Sequence, residues 1–405
     1  EKSPFTSSAK VEDTMSEHRK IVTNAPENSE TPLEALSSWS TPTRLFFVRN
    51  HFEIPKIQEQ TWNLSIGGCT EQAAIYTLQD LEKMPQHSLF TTMECAGNGR
   101  SYLEPRQHGV QWGAGAIAHA EWTGIPLRRL LTPLGIKPDA IEVLFIGTDR
   151  GVEGNLKEPI NFERSLPLDK ALHPDTLLAL RMNGEPLTPE HGYPVRLLVP
   201  GWYGVASVKW LTRIEVLKAP FRGYYQGVKY TIQEKTGTET VTKDVQRMAV
   251  KAEIITPREE DTVGIGSHRL FGVAWAGEEK IRKVEISCDN GQSWEEANLI
   301  GLQAPYSWTL WEYYWEVATP GEYSIMARAT SESGQTQPLE HDFLCGGYLI
   351  NFVRPRRVRV VDTAKAVVSE AANVDGLLYD MMLFAESNAS HPLDLNLELI
   401  DGSGI

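Results

Sequence analysis

Near residue 250 the chain changes texture, and that change restricts it to two differently built parts. Beyond it, short alternating segments are separated by turn pairs. Val284-Glu285-Ile286-Ser287-Cys288 runs into Asp289-Asn290-Gly291 and leaves through Gln292-Ser293-Trp294. That is a strand, a turn suited to Asn-Gly, and a second strand. Trp308 to Val317 and Glu322 to Ala329 continue the alternation around Pro320-Gly321. Several short strands at this spacing predict an immunoglobulin-like β-sandwich over 246–362.

Before the change, strand-like and helix-like pieces alternate irregularly. Thr61-Trp62-Asn63-Leu64-Ser65-Ile66 has the period of two of a half-buried strand. Leu78 to Pro85 reads as a short helix stopped by proline, and Ile125 to Leu131 as one with proline near its start. Ile141 to Ile146 and Val195 to Val199 read as buried strands. The expectation is an α+β fold, with a mixed α+β domain over 43–245 preceding the sandwich. Residues 1–42, rich in Ser, Thr, Glu and Lys without an apolar period, predict an extended, loosely held arm. Residues 363–405 form a C-terminal extension, helical around Ala364 to Ala372 and then loop-like.

The 405 residues carry a net charge of −14, with no apolar run long enough to span a bilayer. That balance excludes a nucleic-acid partner, which calls for a basic face. It suits docking of a positively charged protein, so an enzyme for a small anion would need a local basic pocket. The four cysteines, Cys69, Cys95, Cys288 and Cys345, are widely spaced. They form no cluster for zinc, iron–sulfur or covalently attached haem. Glu1 rather than Met opens the sequence, so a removed leader and a bacterial periplasmic home are expected, with the cytoplasm as the alternative.

A lone cysteine is ordinarily core filler. Cys95 differs in its setting, Met93-Glu94-Cys95-Ala96-Gly97-Asn98-Gly99-Arg100. The glycines let backbone fold closely around something. Arg100 is placed to favour the thiolate and to attract an anion, and a thiolate suits a soft, high-valent metal.

Cys-Ala-Gly-Asn-Gly-Arg resembles the Cys-Ala-Gly-Asn-x-Arg loop of the sulfite oxidase family of molybdenum enzymes. Phe47-Val48-Arg49-Asn50-His51 resembles that family's first strand. Trp112-Gly113-Ala114-Gly115-Ala116-Ile117 with Trp122-Thr123-Gly124 resembles its next segment. His191 to Arg196, Val199-Pro200-Gly201 and Val208-Lys209-Trp210-Leu211 resemble its cofactor block, and Ser287 to Trp294 its sandwich hairpin. The likeness runs over residues 43–355.

This resemblance implies a molybdopterin-binding domain followed by a sandwich that makes a homodimer. It implies molybdenum with one molybdopterin, the metal held by Cys95 and the two dithiolene sulfurs. Cofactor contacts would come from Phe47, Arg49, Asn50, His51, Asp149, His191, Arg196, Ser207 and Lys209, with Asp149 the least closely matched. Arg49 and Arg100 would bind sulfite, Trp112 would wall the pocket, and Tyr225 (or Tyr224 beside it) would reach the reacting atoms. The family's third substrate arginine has no clear counterpart among Arg354, Arg356, Arg357 and Arg359. Gly99 stands where many relatives have arginine. The arm is too short for a haem domain, so no haem is expected in this chain. Electrons would leave to a cytochrome c, as in a haem-free bacterial sulfite dehydrogenase. The expected reaction is sulfite plus water to sulfate, two protons and two electrons. The alternatives are a sulfane dehydrogenase or another oxyanion or sulfoxide oxidoreductase on the same fold, and a non-catalytic scaffold subunit.

Overall fold

The computed structural model describes residues 18–362. The helix expected around Ala364 to Ala372 lies outside the described residues.

The first half is built on two five-stranded sheets. One runs Glu185–Pro186, Leu177–Met182, Ile117–Pro126, His87–Glu94, with Arg196–Leu198 also paired to Leu177–Met182. The other runs Ala74–Tyr76, Leu64–Gly68, Leu211–Leu217, Glu142–Gly151, Ile160–Pro167, with Leu64–Gly68 and Leu211–Leu217 parallel. The period of two at Trp62 to Ile66 works as expected. Leu64 and Ile66 are fully buried in the main core while Ser65 between them is half-buried, each apolar side chain contributing about 2 kcal/mol. The helices are single turns. Leu78–Glu82 starts on a capping box in which Thr77 and Asp80 satisfy each other's backbone amides, and it ends before Pro85. Arg128–Leu131 is shorter still.

The second half is the expected sandwich. A four-stranded sheet (Lys251–Thr256, Gly266–Trp275, Thr309–Val317, Asn298–Ile300) faces a five-stranded one. The latter runs Asp261–Gly264, Arg356–Val361, Gly321–Ser331, Ile281–Ser287, Glu295–Glu296. Leu270, Trp311, Val284, Ile325 and Val358 fill the space between them. The Asn-Gly hairpin returns later than its sequence predicts, at Glu295 instead of Gln292. The Asp289 carboxylate accepts from the amides of Gln292 (3.0 Å) and Ser293 (2.9 Å), which lengthens the turn.

Part of the stretch read as a loose arm has a defined place. Lys20–Asn24 and Glu27–Glu30 form a sheet with Val48–Arg49. Asn28, Ser29, Glu30 and Thr31 are buried. These are polar residues held by strand pairing, the Thr31 amide and the Asn28 and Ser29 side chains, so an apolar periodicity has nothing to detect there.

Candidate active site

A cleft opens in the first half, its walls drawn from seven stretches of chain between Phe46 and Tyr230. Phe47, Arg49, Asn50, His51, Cys95, Asp149, His191, Arg196, Ser207 and Lys209 all line it. So do Met93, Phe162, Glu190, Trp210 and Tyr230, which the motif reading did not single out.

The strand bearing Arg49 is held by the buried arm. Asn28 Oδ1 accepts from the Asn50 amide at 2.8 Å and from Arg49 Nη1 at 3.2 Å, and Asn50 Nδ2 donates to the Glu27 carbonyl at 3.0 Å. Lys209 Nζ donates to Asn50 Oδ1 and, at 2.8 Å, to the Glu190 carbonyl. Arg196 donates to the carbonyls of His191 and Ser207, each at 3.0 Å.

Among the described residues, Arg49, Arg196 and Lys209 have no carboxylate within ion-pair distance (4.0 Å). Burial pushes Arg196 down to about 9. Burial, and then Arg196, push Lys209 well below its ordinary value. Arg196 Nε and Asp149 Oδ1 are buried without a hydrogen-bond partner, and burial raises Asp149 to about 7. Burial also depresses His51 and His191, leaving both rings neutral at pH 7. A cleft with cations that lack an ion-pair partner, an orphaned donor and an orphaned carboxyl oxygen is matched to an anionic ligand with a polar ring system. The Cys95 thiol and the Met93 thioether are the soft donors in its lining. This fits molybdopterin, whose phosphate would meet the cations while Cys95 meets the metal.

The Cys95 loop is compact because of its glycines. A Cβ at Gly97 would lie 2.2 Å from Arg100 Nη2, and Gly99 sits at φ +97°. Arg100 itself does not line the cleft. Its Nε and Nη2 donate to the Gly347 carbonyl (3.0 and 2.7 Å) and Nη1 to the Val110 carbonyl (2.8 Å). Tyr348 lies beneath its guanidinium, 5.3 Å from the ring centre. The segment following the strand Gly321–Ser331 thus reaches back over the loop, where the Leu349 amide also donates to the Ala96 carbonyl at 3.0 Å.

Trp112 is fully buried in the cluster that contains Cys95, Phe46 and Phe47, behind the cleft wall. Tyr225 is likewise absent from the lining. Its hydroxyl donates to Glu153 at 2.9 Å, and its ring packs under His51 and Phe162. The tyrosine on the wall is Tyr230, its hydroxyl 2.7 Å from His51 Nε2 and close enough to act electrostatically on Arg49. Burial raises it to about 12. Nothing in the sequence around Val228-Lys229-Tyr230 marks it. Its position depends on a left-handed backbone (φ 55°) where the chain leaves the turn after Tyr225. None of Arg354, Arg356, Arg357 and Arg359 lines the cleft, and all four are paired with carboxylates.

Residues 51–225 match the oxidoreductase molybdopterin binding domain, and residues 242–353 match the Mo-co oxidoreductase dimerisation domain. The chain is 33% identical to the mitochondrial sulfite oxidase of Drosophila melanogaster over 84% of its length, and spans 63% of that protein. It is 32% identical to the sulfite oxidase of Gallus gallus over 79% of its length, spanning 72% of that protein. Among solved structures, the sulfane dehydrogenase SoxCD of Paracoccus pantotrophus superposes with a TM-score of 0.74 at 27% identity. That match covers 88% of this chain and 93% of the other.

Proposed function

The chain belongs to the sulfite oxidase family of molybdenum oxidoreductases, and on that premise we propose that it oxidises sulfite to sulfate. The observation that carries this reading is the pairing, in one cleft, of the Cys95 thiol with the unpaired cations Arg49, Arg196 and Lys209. Arg196 and Lys209, with Asn50, His51, Asp149, His191 and Ser207, would hold the molybdopterin. When bound, the molybdenum supplies two-electron oxygen-atom transfer and then gives up its electrons one at a time.

The protein's own contribution is electrostatic and positional. Arg49, kept in place by Asn28, draws the anion toward the Cys95 end of the cleft. His51 is neutral and holds the Tyr230 hydroxyl at 2.7 Å, leaving that hydroxyl fixed beside the Arg49 guanidinium. Tyr230 therefore takes the role that the motifs assigned to Tyr225. The surrounding burial excludes bulk water and strengthens each of these interactions. Electrons pass to an external acceptor of the cytochrome c type, the sandwich makes a homodimer, and the home is periplasmic.

One observation favours a second substrate. The segment that packs on Arg100 presents an aromatic residue, Tyr348, and no arginine. With Arg100 committed to carbonyls and that ring, the cleft keeps fewer cations for a dianion, which suits a larger or less charged sulfur group, as a sulfane dehydrogenase would require. Ferricyanide reduction driven in turn by sulfite, thiosulfate and carrier-bound sulfane sulfur separates the two. Sulfite is expected to support the highest kcat/KM, with Cys95→Ser inactive and Tyr230→Phe reduced at least about tenfold. Activity surviving in Cys95→Ser, or Tyr225→Phe losing more than Tyr230→Phe, contradicts the reading.

A further inference from the structure

The strand His87–Glu94 ends one residue before Cys95. Successive residues of a strand face opposite sides. Cys95 faces the cleft, and Glu94 faces the joint with the sandwich, only 2% exposed. Its Oε1 accepts from Lys251 Nζ at 3.2 Å and from Asn98 Nδ2 at 3.1 Å, and its Oε2 accepts from Trp275 Nε1 at 2.9 Å. Lys251 belongs to the sandwich strand Lys251–Thr256 and is equally buried. Its ammonium also reaches the Asn98 carbonyl at 3.4 Å. The Asn98 amide donates to the Cys95 carbonyl at 2.8 Å, and Asn98 Oδ1 accepts from the Ala116 amide at 3.0 Å. The turn that carries the thiol is thereby closed on itself and fastened to the second half of the molecule.

A desolvated ion pair adds little to stability compared with apolar residues of the same size. What the pair does have is a fixed electrostatic effect next door to a metal ligand. Together the two charges present a small net field at Cys95, whereas either one alone would present a full unit charge through protein rather than water. We propose that Glu94 and Lys251 are positioning residues that set the reduction potential of the molybdenum held by Cys95, making the sandwich an electrostatic partner of the active centre. This rests on the molybdenum reading above.

The signs are opposite for the two partners. Reduction adds negative charge at the metal. Glu94→Gln leaves the ammonium uncompensated and favours the reduced state. Lys251→Met leaves the carboxylate and disfavours it. Each change is expected to shift the one-electron equilibrium about tenfold, ~59 mV, in redox titrations of the Mo(V) paramagnetic signal of the loaded protein. Lys251→Arg keeps the wild-type potential, and the double variant Glu94→Gln/Lys251→Met returns close to it.

A purely structural role would lower metal content and move both single variants the same way. Shifts of one sign, no shift in loaded single variants, or a double variant that loads metal but sits far from wild type each overturn the inference. Should one single variant fail to fold, the sign of the shift in the other still decides it. Wild-type protein without molybdenum overturns the functional reading instead, and this inference falls with it.

Discussion

The Cys95 loop separates two regions that treat buried charge in opposite ways. On the cleft side buried Arg196 and half-buried Arg49 and Lys209 have neutral hydrogen-bond partners, carbonyls, amides and the Met93 thioether. On the sandwich side buried Lys251 meets Glu94 at 3.2 Å, and half-buried Arg354 and buried Arg356 together meet Glu253 at 2.5 and 3.0 Å. Both regions had to remove cations from water, which is costly without a counter-charge. The sandwich supplies the counter-charge from its own chain. The cleft leaves most of it to a ligand, since its Asp149 carboxyl acts on Lys209 without an ion-pair contact.

Substitution should break that contrast cleanly. Arg196→Met removes a cation that lacks a protein counter-charge, so cofactor retention should fall about a thousandfold. The apo-protein should melt close to wild type, as cofactor content and calorimetry on the same samples would show. Glu253→Gln does the reverse. It strands two arginines at a buried joint and should cost about 4 kcal/mol of stability, while the folded fraction keeps its cofactor. If both variants lose cofactor and stability in parallel, the two regions are not distinct in kind.

A smaller effect sharpens the sandwich side. His119 is buried with Nε2 3.0 Å from Ser307 Oγ, tying the first half to the second, and burial lowers its pKa to about 4. The unfolded chain takes up a proton near pH 6.5 that the folded one refuses until about 4. Stability is therefore complete above pH 6.5 and falls as pH drops toward 4, by about 3 kcal/mol from this group. His119→Gln should flatten that slope in denaturation curves at pH 7 and pH 4.5. An unchanged slope would remove His119 from the account.

How much of this could be read in the sequence follows the same division. The cleft side was legible because its residues are contiguous in short motifs, Phe47 to His51, His191 to Arg196 and Ser207 to Lys209, each carried by one strand or turn. The sandwich was legible because apolar alternation and turn pairs are local signals. What escaped depends on long-range placement. Asn28 orients Arg49 from 21 positions upstream, inside a stretch whose buried residues are polar. Tyr230 reaches the wall, and Tyr225 does not, because Glu153 takes the Tyr225 hydroxyl. Arg100 is spoken for by the Gly347 carbonyl, 247 residues away. Glu94 is adjacent to Cys95, yet its partner Lys251 is 157 positions on.

The central claim is that Cys95 supplies the protein's ligand to molybdenum at the end of the cation-lined cleft. X-ray absorption at the molybdenum edge tests it most directly. The account predicts three sulfur neighbours in the wild-type protein, one from Cys95 and two from the dithiolene, and two in any metal retained by Cys95→Ser. An unchanged sulfur shell in Cys95→Ser, or wild-type protein with no molybdenum, would contradict it.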